Sequence, residues 1–83
     1  MPIDDELRAA VAKASGLQAN DVDDQDTLDD HLGISSLDLI EIYGYFEEKY
    51  DIVITDQEAE PITTLGQMRS LIESKVDAKV IHR

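Results

Sequence analysis

Ile3, Leu7, Ala10, Val11 and Ala14 return every three or four residues, so the start of the chain has one apolar side and is predicted to be a helix. Asp4, Asp5 and Glu6 fall in its first turn, where carboxylates suit the positive end of the helix dipole, and Ser15-Gly16 supplies a stop. From Leu17 to Gly33 the period lapses into an acidic loop whose inward anchors are expected to be Val22, Leu28 and Leu32. Seventeen residues is long for a connection in a compact domain, and loops of that length are usually functional or ordered by their own packing. The helical period resumes from Ser36 to Tyr50, with Ser35 placed as cap and Asp38 three residues on, a near-match to the capping box. Ile52-Val53-Ile54 is too short to build a sheet and reads as an extended connector burying one or two side chains.

Two further capping patterns follow. Thr55-x-x-Glu58 opens a short helix that Pro61 ends, and Thr64-x-x-Gln67 opens a last one with Leu65, Met68, Leu71, Ile72 and Val76 in helical register. Val80 to Arg83 has nothing to pair with, so fraying is expected from about residue 79. The predicted fold is all-α, with three main helices, one short helix and a long loop between the first two, as a single domain over residues 1–83.

On a helical wheel the second helix has two dissimilar faces. Leu39, Ile42, Tyr43, Phe46 and Tyr50 share one arc and should centre the core. The other arc gathers Leu37, Ile40, Glu41, Gly44, Glu47 and Glu48, which sets two aliphatic side chains among carboxylates beside a glycine that costs ~1 kcal/mol relative to alanine. Isolated exposed aliphatics are ordinary on any surface. Apolar residues ringed by like charge also describe a docking surface for a basic, grooved partner.

Charge strengthens the docking reading. Seven basic residues against nineteen acidic ones give a net charge of −12, and fourteen of the acids but only one of the basic residues lie between Asp21 and Glu60. That stretch should steer basic partners. The same excess repels nucleic-acid phosphates and anionic membranes. No apolar run approaches the ~20 residues of a membrane span, and the acidic start does not resemble a signal peptide, so the expected location is the cytoplasm. The chain has no cysteine, which removes disulfides, thiolate metal sites and a cysteine nucleophile.

Little chemistry remains. A Ser-His-Asp set can be assembled from Ser35 or Ser36, His31 and nearby aspartates, but Gly-x-Ser-x-Gly is absent and a small helical bundle offers little pocket. A calcium loop started at Asp21 fails, because Asp26 falls where glycine is needed and Leu32 where a bidentate glutamate is needed. His31 reads as a solvated loop residue and His82 as part of the tail, so neither is expected to catalyse. What is left is Leu32-Gly33-Ile34-Ser35-Ser36-Leu37-Asp38, a glycine turn that delivers a serine hydroxyl to a helix N-terminus, where free N–H groups favour a phosphate. Two serines that merely cap the helix would look the same.

The run Leu32-Gly33-x-x-Ser36-Leu37-Asp38-x-x-Glu41, continued by Phe46-Glu47-Glu48-x-Tyr50-Asp51, Ile54, Asp56-x-Glu58-Ala59-Glu60 and Ile62-Thr63-Thr64, resembles the acyl carrier proteins. The resemblance covers about half the chain at motif level. It implies a four-helix bundle, a 4′-phosphopantetheine group derived from coenzyme A on Ser36, and no catalysis by the chain itself. It implies partners of two kinds, a holo-carrier-protein synthase and acyl-processing enzymes with basic docking patches that meet Ser35, Leu37, Asp38, Ile40, Glu41, Gly44, Glu47 and Glu48. A monomer is expected. The cargo would be an acyl intermediate of fatty acid, polyketide or specialised lipid synthesis; an aminoacyl or peptidyl carrier and an unmodified carrier-like interaction domain are the alternatives. Three positions depart from the family pattern. Ser35 stands where aspartate usually precedes the modified serine, Tyr43 where core aliphatics are usual, and Gly44 where a large docking side chain is common. The bulk of Tyr43 suggests short or polar cargo.

Overall fold

Four helices follow the order that the periodicity predicts, in a computed structural model that describes residues 2–81. They are α1 (Pro2–Ser15), α2 (Ser36–Tyr50), the short α3 (Asp56–Ala59) and α4 (Leu65–Ile81), with a single 3-10 turn over Ala19–Asp21. No strand forms among the described residues; Thr27 and Thr64 make one isolated antiparallel bridge. All three predicted capping boxes are present. Ser35 pairs reciprocally with Asp38 and Thr55 with Glu58, while the Thr64 hydroxyl accepts from the Gln67 N–H at 3.3 Å and the Gln67 side chain accepts from the Thr64 N–H at 3.1 Å. Each satisfies helix-end donors that would otherwise lack partners.

The three long helices bury one stripe each. Leu7 and Val11 of α1, Phe46 of α2, and Leu65, Met68 and Ile72 of α4 are fully buried. At roughly 1.5–3 kcal/mol for each large side chain, these six supply much of the driving force for folding. Ile42 and Tyr43 are buried as expected, whereas Leu39 and Tyr50 are only half-buried. Tyr50 lies at the bundle's rim, its ring stacked on Phe46 and its hydroxyl donating to Glu6. In the connector Ile52 is buried, Ile54 is half-buried and Val53 faces outward.

The long loop is ordered by what it packs against. Val22, Leu28 and Leu32 are buried as predicted, and Ile34 joins them. Leu28 N–H donates to the Thr63 carbonyl, while Leu65 and Gly66 N–H donate to the Asp26 and Asp24 carbonyls. Asp24 is also gripped by two arginines, at 2.6 Å from Arg8 and at 2.6 and 2.7 Å from Arg69. Arg69 further reaches Asp4 at 3.1 Å, so α1, the loop and α4 share one ion cluster. Hydrogen bonds from Arg69 hold the Asp24 carboxyl below its ordinary value.

The end of α4 extends into the segment expected to fray. The helix continues through Ile81, and the Lys79 ammonium is tied to the Asp51 carbonyl at 2.9 Å and its carboxylate at 2.6 Å. Residues 82 and 83, and with them His82, lie outside the described residues.

Candidate functional site

Gly33 has φ +67, a left-handed conformation that glycine adopts without a Cβ clash, and it turns the loop toward α2. Ile34 anchors that turn, buried and hydrogen-bonded through its N–H to the Leu28 carbonyl at 2.8 Å. The chain therefore enters α2 from a fixed direction. Ser35, extended at φ −80 and ψ 167, is the cap. Its hydroxyl accepts from the Asp38 N–H at 3.1 Å and donates to the Asp38 carboxylate at 2.9 Å, and its own N–H donates to that carboxylate at 3.2 Å.

Ser36 is the first residue of α2 and is exposed. Among the described residues its hydroxyl has no hydrogen bond, nor do the N–H groups of Ser36 and Leu37. A free hydroxyl thus stands beside two free donors at the positive end of a fifteen-residue helix, an arrangement that fits a phosphodiester on Ser36. The cap occupies the Ser35 hydroxyl and leaves that of Ser36 unbonded, in line with the register of the motif, in which Leu37-Asp38 follows Ser36.

The predicted docking residues lie along the same helix. Leu37 and Ile40 are 64% and 67% exposed, and Glu41 and Glu48 are exposed beside them. Gly44 is half-buried and a Cβ there would meet open space, so the face has a shallow notch at its middle. Two residues differ in kind from the rest. Asp38 is committed to the cap, and the half-buried Glu47 accepts from the Ile54 N–H at 2.9 Å, clasping the connector to α2. Val53, 69% exposed on that connector, was not singled out from the sequence. Ile52-Val53-Ile54 is uniformly apolar, so no alternation in the sequence marks which of the three faces outward.

Tyr43 is nine per cent exposed, and burial pushes its phenol up to about 12. An open groove of about 720 Å³ lies elsewhere, between α1 and α2, with Ala9, Ala10, Ala14 and Ile42 among its lining. Its α2 residues Asp38, Glu41, Ile42 and Tyr45 sit across the helix axis from Ser36 on the wheel. His31 lies 3.5 Å from the Asp26 carboxylate and is not near Ser36 in any hydrogen-bonded contact, so no Ser-His-Asp arrangement forms. Among the described residues no group of three His, Asp or Glu side chains is placed to hold a metal ion. Among the described residues no helix is long and apolar enough to cross a membrane.

Comparison with known proteins agrees with this geometry. The family model described as a phosphopantetheine attachment site matches residues 5–72. An acyl carrier protein of Wolinella succinogenes is 34% identical over 89% of this chain and 97% of its own length. Another, from Exiguobacterium sp., is 32% identical over 86% of this chain and 90% of its own, and one from Chlamydia felis is 29% identical over 90% and 96%.

Proposed function

This chain belongs to the acyl carrier proteins, and we propose that it carries its 4′-phosphopantetheine group on the Ser36 hydroxyl and delivers acyl intermediates to enzymes of fatty acid, polyketide or specialised lipid synthesis in the cytoplasm. The chain's relatives are carriers, not catalysts, and its own residues position a cargo and do not transform it. When bound, the group supplies the thiol that a cysteine-free chain lacks, and with it a thioester linkage. The observation that carries the reading is the division of labour at the start of α2, where Ser35 is spent on the cap and Ser36 is left exposed and unbonded.

In the attachment reaction the Ser36 oxygen forms a bond to phosphorus of coenzyme A. The pyrophosphate P–O bond breaks, 3′,5′-adenosine diphosphate leaves, and the serine proton passes to the transferring enzyme. The free N–H groups of Ser36 and Leu37 then face a phosphodiester. Leu37 and Ile40 offer a desolvated contact to partners, while Glu41 and Glu48 steer basic ones toward it. The test is intact mass after incubation with coenzyme A and a phosphopantetheinyl transferase. One phosphopantetheinyl increment is expected on the native chain and none on Ser36→Ala; an increment retained by that variant would move the site elsewhere. The mass of cargo on protein from its host separates acyl from aminoacyl groups, and the strong acidity supports the former.

A further inference from the structure

The arc of α2 that carries Leu37 and Ile40 is not the only side of that helix left open. Counted around the axis from Ser36 at about 100° per residue, Leu37, Ile40, Gly44 and Glu47 fall within about 20–100°, whereas Asp38, Ile42 and Tyr45 fall within about 180–240°. Glu41 lies between the two sets. The second arc is one wall of the open groove of about 720 Å³, and α1 is the other. The groove therefore opens away from the Ser36 hydroxyl, and an occupant need not cover it.

Its walls suit a third helix. They run antiparallel, because Glu6 early in α1 meets Tyr45 and Tyr50 late in α2, while Lys13 late in α1 and Asp38 early in α2 line the same groove. On the α1 side Ala9, Ala10 and Ala14 present only methyl groups, and short side chains allow a close interaxial distance. On the α2 side Tyr45 is 47% exposed, its ring edge-on to Phe46 at 5.1 Å and its hydroxyl donating to Glu6 at 3.3 Å. A tyrosine braced in this way loses little freedom on binding, which suits it to anchor an interface. Glu6 also receives Lys49 and the Tyr50 hydroxyl, so the two walls are tied together before any partner arrives.

Charge defines the partner. Arg8, Lys49, Arg69, Lys75 and Lys79 are all in ion pairs, whereas Lys13 is in none among the described residues. Of the groove's carboxylates, Glu6 is paired with Lys49 and Asp38 is held in the cap, but Glu41 has neither an ion pair nor a side-chain hydrogen bond among the described residues. Lys13 and Glu41 thus offer one free charge of each sign from opposite walls. A second copy is a poor occupant, since two chains of net charge −12 repel each other. A partner with a basic surplus is drawn in.

We propose that the α1–α2 groove holds an amphipathic helix of a partner protein, its apolar stripe against Ala10, Ala14, Ile42 and Tyr45, a basic residue toward Glu41 and a carboxylate toward Lys13. Such a partner stays in place while a transferase or an acyl-processing enzyme works at Ser36, so the carrier is a fixed subunit of an assembly as well as a shuttle. The inference goes beyond the attachment at Ser36 and does not depend on it.

The probe is a fluorescent helical peptide with leucines at i, i+4 and i+7, lysines on one flank of that stripe and a single glutamate on the other. It is titrated into the full chain with and without the phosphopantetheine arm. Both forms should saturate below about 1 mM, with amide shifts centred on Ala9, Ala10, Ala14, Ile42 and Tyr45. Ala9→Trp changes an exposed residue and fills the groove, so it should weaken binding about 10-fold or more, while Leu37→Ala with Ile40→Ala should leave it unchanged. Exchanging the peptide's glutamate for glutamine should weaken binding to the native chain about 2- to 5-fold and leave binding to Lys13→Gln as it was. No saturation, shifts centred on Leu37 and Ile40, or an equal glutamine effect in both proteins would each overturn the proposal. So would a dimer of the native chain that Ala9→Trp dissolves in sedimentation, because the occupant would then be a second copy. An arm that never attaches sinks the Ser36 reading and leaves this one standing, since the chain without its arm is titrated as well.

Discussion

Ser35 and Ser36 carry the same side chain one residue apart, and the helix they enter gives them separate work. The capping box takes both hydrogen-bonding capacities of the Ser35 hydroxyl, as acceptor from the Asp38 N–H and as donor to the Asp38 carboxylate. Ser36, already inside the helix, is exposed and its hydroxyl takes no part in the cap. The two alanine variants should therefore differ in kind. Ser35→Ala is expected to cost about 1 kcal/mol of stability and to retain the mass increment, and Ser36→Ala to leave stability within about 0.5 kcal/mol and lose the increment. Urea unfolding read beside intact mass checks both, and a destabilised but unmodifiable Ser35→Ala would show that the cap and the attachment are not separable. Sequence spacing brought both serines to the helix start. The register of the motif points to Ser36, and the hydrogen bonds add which of the two serves as cap, because either serine satisfies the preference of an N-cap position.

At the scale of elements, legibility in the sequence followed the range of the forces involved. Helix starts rest on contacts three residues apart, so Thr55-x-x-Glu58 and Thr64-x-x-Gln67 were readable, as was the buried stripe Leu65, Met68 and Ile72. The apolar anchors of the loop were readable too, but its polar clasp was not. It depends on Asp24 meeting Arg8 and Arg69, which are 16 and 45 residues away, and on a close approach at Gly66 that no local pattern announces. Gly66 N–H donates to the Asp24 carbonyl at 2.8 Å, and a Cβ at Gly66 would lie 3.2 Å from both the Cβ and the carbonyl oxygen of Asp24. At Gly44 a Cβ would meet nothing within 4 Å. The same substitution should thus act differently in two helices. Gly44→Ala is expected to stabilise by up to about 1 kcal/mol through helix propensity, whereas Gly66→Ala requires Asp24 to give way by a few tenths of an ångström and should end about 1–2 kcal/mol less stable than Gly44→Ala. Urea midpoints of the two variants give the comparison, and the reverse order would mean that the loop is not pressed against α4 in solution.

For the molecule as a whole, the question is whether the charge that steers partners also opposes folding, and two lengths decide it. Extents of 38 × 26 × 20 Å place most pairs of carboxylates well beyond hydrogen-bond range of each other, while the ion pairs of the Asp24 cluster are in contact at 2.6 to 3.1 Å. Screening reaches ~30 Å at 0.01 M salt and ~8 Å at 0.15 M, so added salt removes much of the diffuse repulsion among −12 charges and barely touches the contacts. The midpoint temperature should therefore rise between those two concentrations; a flat or falling midpoint would mean that contact pairs outweigh the net charge. Acid probes the contacts separately. The Asp24 carboxyl is held below its ordinary 3.8, chiefly by hydrogen bonds from Arg69, so its contribution is present above that value and is lost as pH falls through the lower folded value. Asp24→Asn should be less stable than the native chain at pH 7, and the gap should narrow only below about pH 4. Urea midpoints at pH 7, 5 and 3 follow it: a gap already closed at pH 5 would assign the effect to other carboxylates, and a gap unchanged at pH 3 would remove ionised Asp24 from the clasp between loop, α1 and α4.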